Sequence, residues 1–188
     1  MFTKVANVAA LVAVVAFASA CASVATSDIV TLNLKAKGDG VQSGVITEEK
    51  DIDTESGNPY GAFAKLAKDE LGKAPGHVEL DRCTISLGAK SKGVVALNKV
   101  FSGKVEVLFL VDSGKNSYVA ASIDKVSGSG PVVLSVSFDN SAISAADRAK
   151  IVDGKFKVVI RGNAAQEFDG NKDAEAELLV ALTFSAFE

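Results

Sequence analysis

From Asp28 onward apolar and polar residues alternate with a period of two. Successive side chains of a strand point to opposite faces, so this is the pattern of strands that bury one side. Val30, Leu32, Leu34 and Ala36 alternate with Thr31, Asn33 and Lys35 until Gly38-Asp39-Gly40 breaks the run. Val78 and Leu80 begin another strand, and the apolar phase slips by one at Asp81-Arg82 before resuming at Cys83, Ile85 and Leu87. A slip of one residue predicts a bulge or a bend. Further strands are predicted over 94–101, 104–111, 118–123, 132–138, 156–161 and 174–187.

Short Gly-rich connections separate these runs, at Asp112 to Asn116, Ser127 to Pro131 and Asp169 to Asp173. Short turns join antiparallel neighbours, and no helices recur between the strands, so the sequence predicts an all-β fold, an antiparallel β-sandwich. Residues 105–111 and 178–182 are apolar at nearly every position and are expected to lie centrally, covered on both faces. Two helical insertions interrupt the strands. Asn58-Pro59 supplies a cap and a first-turn Pro, Tyr60, Phe63, Ala64, Ala67 and Leu71 form one stripe, and Gly72 and Pro75 end it. The second is short, with Ser144 and Asp147 at capping-box spacing and Ile151 at its end. Both are expected to act as lids over an open end or edge of the sandwich. No repeat or linker divides residues 28–188, which are read as one domain.

The first twenty residues follow a different rule. Lys4, an apolar run from Val8 to Ala18, and the small residues Ala18, Ser19 and Ala20 form the charged start, apolar middle and small-residue end of a secretory signal. That run is shorter than the roughly 20 residues a helix needs to cross a bilayer, although a retained anchor extending through Ala25 is an alternative. Ordinary signal peptidase has small-x-small sites ending at Ala20 and at Ala25. Ala18-Ser19-Ala20-Cys21 also resembles the lipobox of bacterial lipoprotein signal peptides, with Ala18 where that family usually has Leu. The resemblance implies a diacylglycerol on Cys21, a tether over 21–27 and attachment to a membrane. Ala22, in place of the Asp of an inner-membrane retention signal, implies the outer membrane; soluble export to the periplasm or medium is the other outcome.

Composition narrows the chemistry. The chain of 188 residues is 48% hydrophobic and 23% charged, which suits a real core. One His and two Cys exclude a clustered His/Cys zinc site, and a formal charge of −3 excludes a strongly basic nucleic-acid surface. With Cys21 acylated, Cys83 stands alone in an apolar strand, where a small buried hydrophobe is its expected role. His77 is too far along an extended strand from Cys83 to act as its base and reads as a solvated loop residue.

Glycine motifs resolve into turns. Gly88 to Gly93 has phosphate-loop glycine spacing but is followed by Val94-Val95 instead of Lys and a hydroxyl. Asp169, Asn171 and Asp173 have the opening of a calcium loop, extended by Glu175 and Glu177. Ala174 stands where an EF-hand needs Gly, and Val180 where it needs Glu, so a hairpin turn is expected and calcium is the one cofactor the sequence leaves open. The acidic run Glu48 to Glu55 reads as a solvated loop. With no convincing catalytic set, the expected function is a non-enzymatic binding, adhesion or structural module of the envelope, with a protein or glycan partner and no nucleic acid. The alternative is a carrier enclosing a small apolar ligand beneath the Tyr60 to Leu71 helix.

Overall fold

The computed structural model describes residues 24–25, 29–55 and 57–188. Residues 1–20, read from the sequence as a signal segment, Cys21 and most of the expected tether 21–27 lie outside the described residues. In chain order the elements are β1 (Val24–Ala25), β2 (Ile29–Lys37), β3 (Val45–Ile52), α1 (Pro59–Leu71), β4 (His77–Leu87), β5 (Phe101–Val111), β6 (Asn116–Ile123), β7 (Val132–Val136), α2 (Ala145–Val152), β8 (Phe156–Ala164) and β9 (Glu175–Phe187). All ladders are antiparallel and run in one unbroken order, β2–β9–β4–β7–β6–β5–β8–β3. β1 prolongs the β2 edge, pairing Val24 with Phe187 where β2 begins by pairing Ile29 with Thr183. The outermost strands β2 and β3 approach each other without a ladder among the described residues. The chain is all-β with two helical insertions.

The alternation translates directly into burial. β2 buries Val30, Leu32, Leu34 and Ala36 and exposes the residues between them. β9 turns Ala176, Leu178, Val180, Leu182, Phe184 and Ala186 inward. In β4 the register against β9 shifts between Leu80 and Arg82, the bulge the phase slip predicts, which lets Val78, Leu80, Cys83 and Ile85 all face the core.

Because neighbours are antiparallel, one end of the body gathers the starts of β2, β4, β6 and β8 and the finishes of β3, β5, β7 and β9. Both helices and Glu188 belong to this end. α1 crosses it as a plug: Asn58 Oδ1 accepts from Tyr60 N, and Gly72 at φ 71° stops the helix. Tyr60, Phe63 and Ala67 are buried beneath it. Tyr60 stands edge-on to Phe156 and Phe184, at 5.3 Å from each ring, and its hydroxyl donates to Ile151 O at 2.7 Å. The opposite end is closed by loops, which bury Leu97, Val126 and Phe168.

Four expectations are corrected. Residues 94–100 are not a strand but a loop with a 3-10 turn over Leu97–Lys99; Leu97 and Val100 are buried while Val95 is 84% exposed. Eclipsed side chains at i and i+3 suit such a turn, and a strand would have put Val95 inward or outward with Leu97. Glu48 to Ile52 belong to β3 instead of a loop, held on one side only by β8. The Asp169 to Asp173 segment does not close a hairpin, because β8 pairs with β3 and β5 while β9 pairs with β2 and β4. It belongs to a loop that passes from one part of the sheet order to another. Finally, β9 is not covered on both faces: Leu179 and Ala181 are half-exposed on the outside. β5 is central as expected, between β6 and β8, and there Leu108 is buried beside a register shift.

Candidate functional site

The sheet order has one thin place. β7 pairs with β4 only over Val132 to Leu134, and with β6 only at Ser135 and Val136. Beyond that point the chain stays with β6: the N–H groups of Ser137 and Phe138 both donate to Ala120 O. β4 therefore loses its neighbour toward the helical end, and a seam opens beside His77 to Leu80. Main-chain groups of a strand point alternately to its two sides. Val78 O accepts from Asn140 Nδ2 across the seam, so the main-chain polar groups of Val78 and, two residues on, Leu80 face it.

The seam is the floor of an open cleft of about 450 Å³, walled on one side by His77, Glu79 and Leu80 and on the other by Phe138 to Ser141 and Arg148. The far wall is set locally. Asp139 caps a 3-10 turn over Asn140–Ala142, accepting from Ser141 N at 2.8 Å and Ser141 Oγ at 2.7 Å, and these bonds hold its carboxyl below the usual range. Asn140 Oδ1 is buried with no partner among the described residues. On the near wall His77 lies flat on Phe187, ring centroids 4.9 Å apart, with Nε2 3.6 Å from Glu79 Oε1. The half-buried Arg148 side chain makes no hydrogen bond or ion pair among the described residues, its backbone N donating to Ser144 O at 2.9 Å within the helix.

Arg148 is aimed by α2, and α2 is pinned by its neighbour Asp147. Ser144 Oγ accepts from Asp147 N at 3.1 Å, the predicted cap. The Asp147 carboxylate, 2% exposed, accepts from the Tyr118 hydroxyl and Asn116 Nδ2, each at 2.7 Å, with Lys150 Nζ at 3.5 Å. The Tyr118 bond above all keeps this carboxyl below its ordinary value. Sequence reading found the cap but not the buried carboxylate, whose partners lie on β6.

His77 and Cys83 do not meet. His77 stands on the outer face of β4 and Cys83 on the inner, where burial pushes the thiol up to about 12. On a Cys21→Ser chain, Cys83 is expected to resist a thiol reagent under native conditions and to react once denaturant unfolds the protein. Rapid stoichiometric labelling of the native protein would contradict this burial.

Asp169, Asn171 and Asp173 lie exposed in the loop between β8 and β9. Asn171 Oδ1 accepts from Asp173 N at 3.1 Å, a local turn bond, and the described residues contain no group of three or more His, Cys, Asp or Glu placed to hold a metal ion. Glu175 and Glu177 instead face the Gly88 to Gly93 loop, an association the sequence did not suggest. Glu177 accepts from Lys90 N at 2.9 Å and Asn33 Nδ2 at 2.6 Å, and Glu175 pairs with Lys35 at 2.7 Å. These partners lower both carboxyls. A Cβ on Gly88 would meet the Glu177 carboxylate at 2.0 Å, so glycine is what allows the loop to lie over β9. The glycine spacing thus builds a strap.

Comparison with known protein families, curated proteins and solved structures finds no match for this chain.

Proposed function

We propose that this chain is an exported bacterial envelope protein, anchored to the outer membrane by lipid on Cys21, whose β body binds a partner and catalyses nothing. The open seam beside β4 carries the binding reading. An extended peptide laid along His77 to Leu80 would gain main-chain hydrogen bonds from the groups of this strand edge that Asn140 does not engage, and an acidic side chain or C-terminal carboxylate on it would engage Arg148. The separation of His77 from Cys83 and the strictly structural setting of Asp147 support a role without chemistry. Rings fill the space beneath α1, which supports a surface-binding module over a carrier needing an enclosed cavity of about 300 Å³ or more. The sandwich description, two sheet halves over one core, draws support from the narrow β7 junction and the missing β2–β3 ladder.

The layout of Met1 to Ala20 and the lipobox-like Ala18-Ser19-Ala20-Cys21 support export and anchoring. Intact mass of the mature protein is expected to start at Cys21 with added acyl mass, in the outer-membrane fraction; an unmodified N-terminus at Cys21 or Thr26 would overturn the anchor. For the binding reading, a library of extended peptides is expected to yield acidic binders whose affinity falls about tenfold or more in Arg148→Ala. No acidic binder, or binders indifferent to that change, would overturn it.

A further inference from the structure

The length of chain between Cys21 and the body has a geometric consequence. Only Ala22 and Ser23 separate Cys21 from Val24, where β1 pairs with Phe187. Three residue steps reach at most about 11 Å when fully extended. An acylated Cys21 would therefore hold the helical end of the body at the bilayer surface. We propose that this end rests on the phospholipid headgroups, with the outward side of α1 as its contact face; the inference depends on the acylation proposed above.

The composition of that end suits the contact. Leu66, 39% exposed on α1, is flanked by Lys65 and Lys68, and Ile29, 61% exposed, begins β2 at the same end. Long cationic side chains can lay their stems along apolar surface and keep the ammonium among headgroups. Asp69 and Glu70 follow on the same helix, so net charge is not what holds the face down. The tether supplies the attraction by keeping the local concentration high, which makes even a weak contact populated. α1 is placed for it: Lys73, just past the helix, pairs with Glu188 at 3.4 Å, and α1 packs beside β1. Val95, in contrast, sits at the loop end, and the 13 residues of β9 between the two ends span about 40 Å along the strand.

The chain contains no Trp, so Leu66→Trp and Val95→Trp each place a single indole at one end of the protein. Both positions are exposed, and matching far-UV spectra and melting curves confirm that the variants fold. Full-length acylated protein is purified from bacterial membranes and reconstituted into phosphatidylcholine–phosphatidylglycerol vesicles with and without brominated acyl chains. The expected result is quenching of the Leu66→Trp emission several-fold stronger than that of Val95→Trp, with a blue shift in the former only. Intact mass on the same preparation reads acylation separately. Acylated protein with equal quenching at both positions, or stronger quenching at Val95→Trp, overturns the orientation while leaving the anchor standing; absence of acyl mass overturns both.

Discussion

Replacing Phe184 with Ala is expected to cost about 3–5 kcal/mol, the largest single-residue loss from this core. Phe184 is fully buried on β9 and lies 5.3 Å from Tyr60, 5.7 Å from Phe63 and 6.0 Å from Phe109, centroid to centroid. Phe109 in turn stands edge-on to Phe156 and Phe138 at 5.1 and 5.0 Å. Truncation therefore removes the ring on which α1 and the central strand β5 both pack. Cavity cost adds to lost transfer energy because neighbours held by backbone ladders relax only in part. In a thermal scan the loss corresponds to a fall of roughly 6–20 °C for a domain of this size. Phe187→Ala, three residues on and at the outer face, removes a half-buried ring stacked on His77 and is expected to cost a small fraction of that. A Phe184→Ala protein within about 1 kcal/mol of the parent would mean that the rings do not fill this end, and would reopen the carrier reading.

The same packing explains what the sequence made legible. Val30 to Ala36 and Ala176 to Ala186 bury every second residue against one core, so their alternation is clean and the strands could be read directly. Helix α1 was legible for a different reason: Asn58, Pro59 and Gly72 act within a turn of their own position. β3 was not legible, because the face that buries Ile46 and Ile52 carries half-buried Glu48 and exposed Lys50 between them. Half-buried Glu48 has its carboxyl raised by burial, and on the outer face Lys157 reaches Glu49 and Asp51. An edge strand with charges on both faces has no period-two signal to find. The pairing of strands was hidden as well. A short Gly-rich segment after β8 looks like hairpin chemistry whether or not the next strand is its neighbour. The seam beside β4 had no signature at all, since it arises from β7 leaving β4 and brings His77, Asn140 and Arg148 together from separate elements.

That misleading segment is itself testable, through a glycine on the other side of it. Gly38→Ala is expected to destabilise at the upper end of, or beyond, the about 1–3 kcal/mol typical of overpacking. Gly38 N donates to Ala174 O and Gly38 O accepts from Gly170 N, which staples the β2–β3 turn to the loop between β8 and β9. At that closeness an added Cβ would stand 2.3 Å from both Phe168 O and Asn171 O. Backbone oxygens cannot swing aside as a side chain would, so the loop must move and buried Phe168 with it. Gly40→Ala is the control, because the nearest atom to its added Cβ is 3.9 Å away, and it should stay within about 0.5 kcal/mol. If the loop's value lies in this staple, Asp169→Asn with Asp173→Asn should also change stability by no more than about 0.5 kcal/mol, both side chains being exposed. Calcium makes the opposite demand: an ion bound only by the folded protein raises Tm with concentration, by mass action. Thermal scans of the four proteins, each with millimolar calcium and with chelator, separate the two roles. The expected pattern is a low Tm for Gly38→Ala alone and no response to calcium in any of them. A calcium-dependent rise in the parent that the double Asn chain loses would make Asp169, Asn171 and Asp173 an ion site after all.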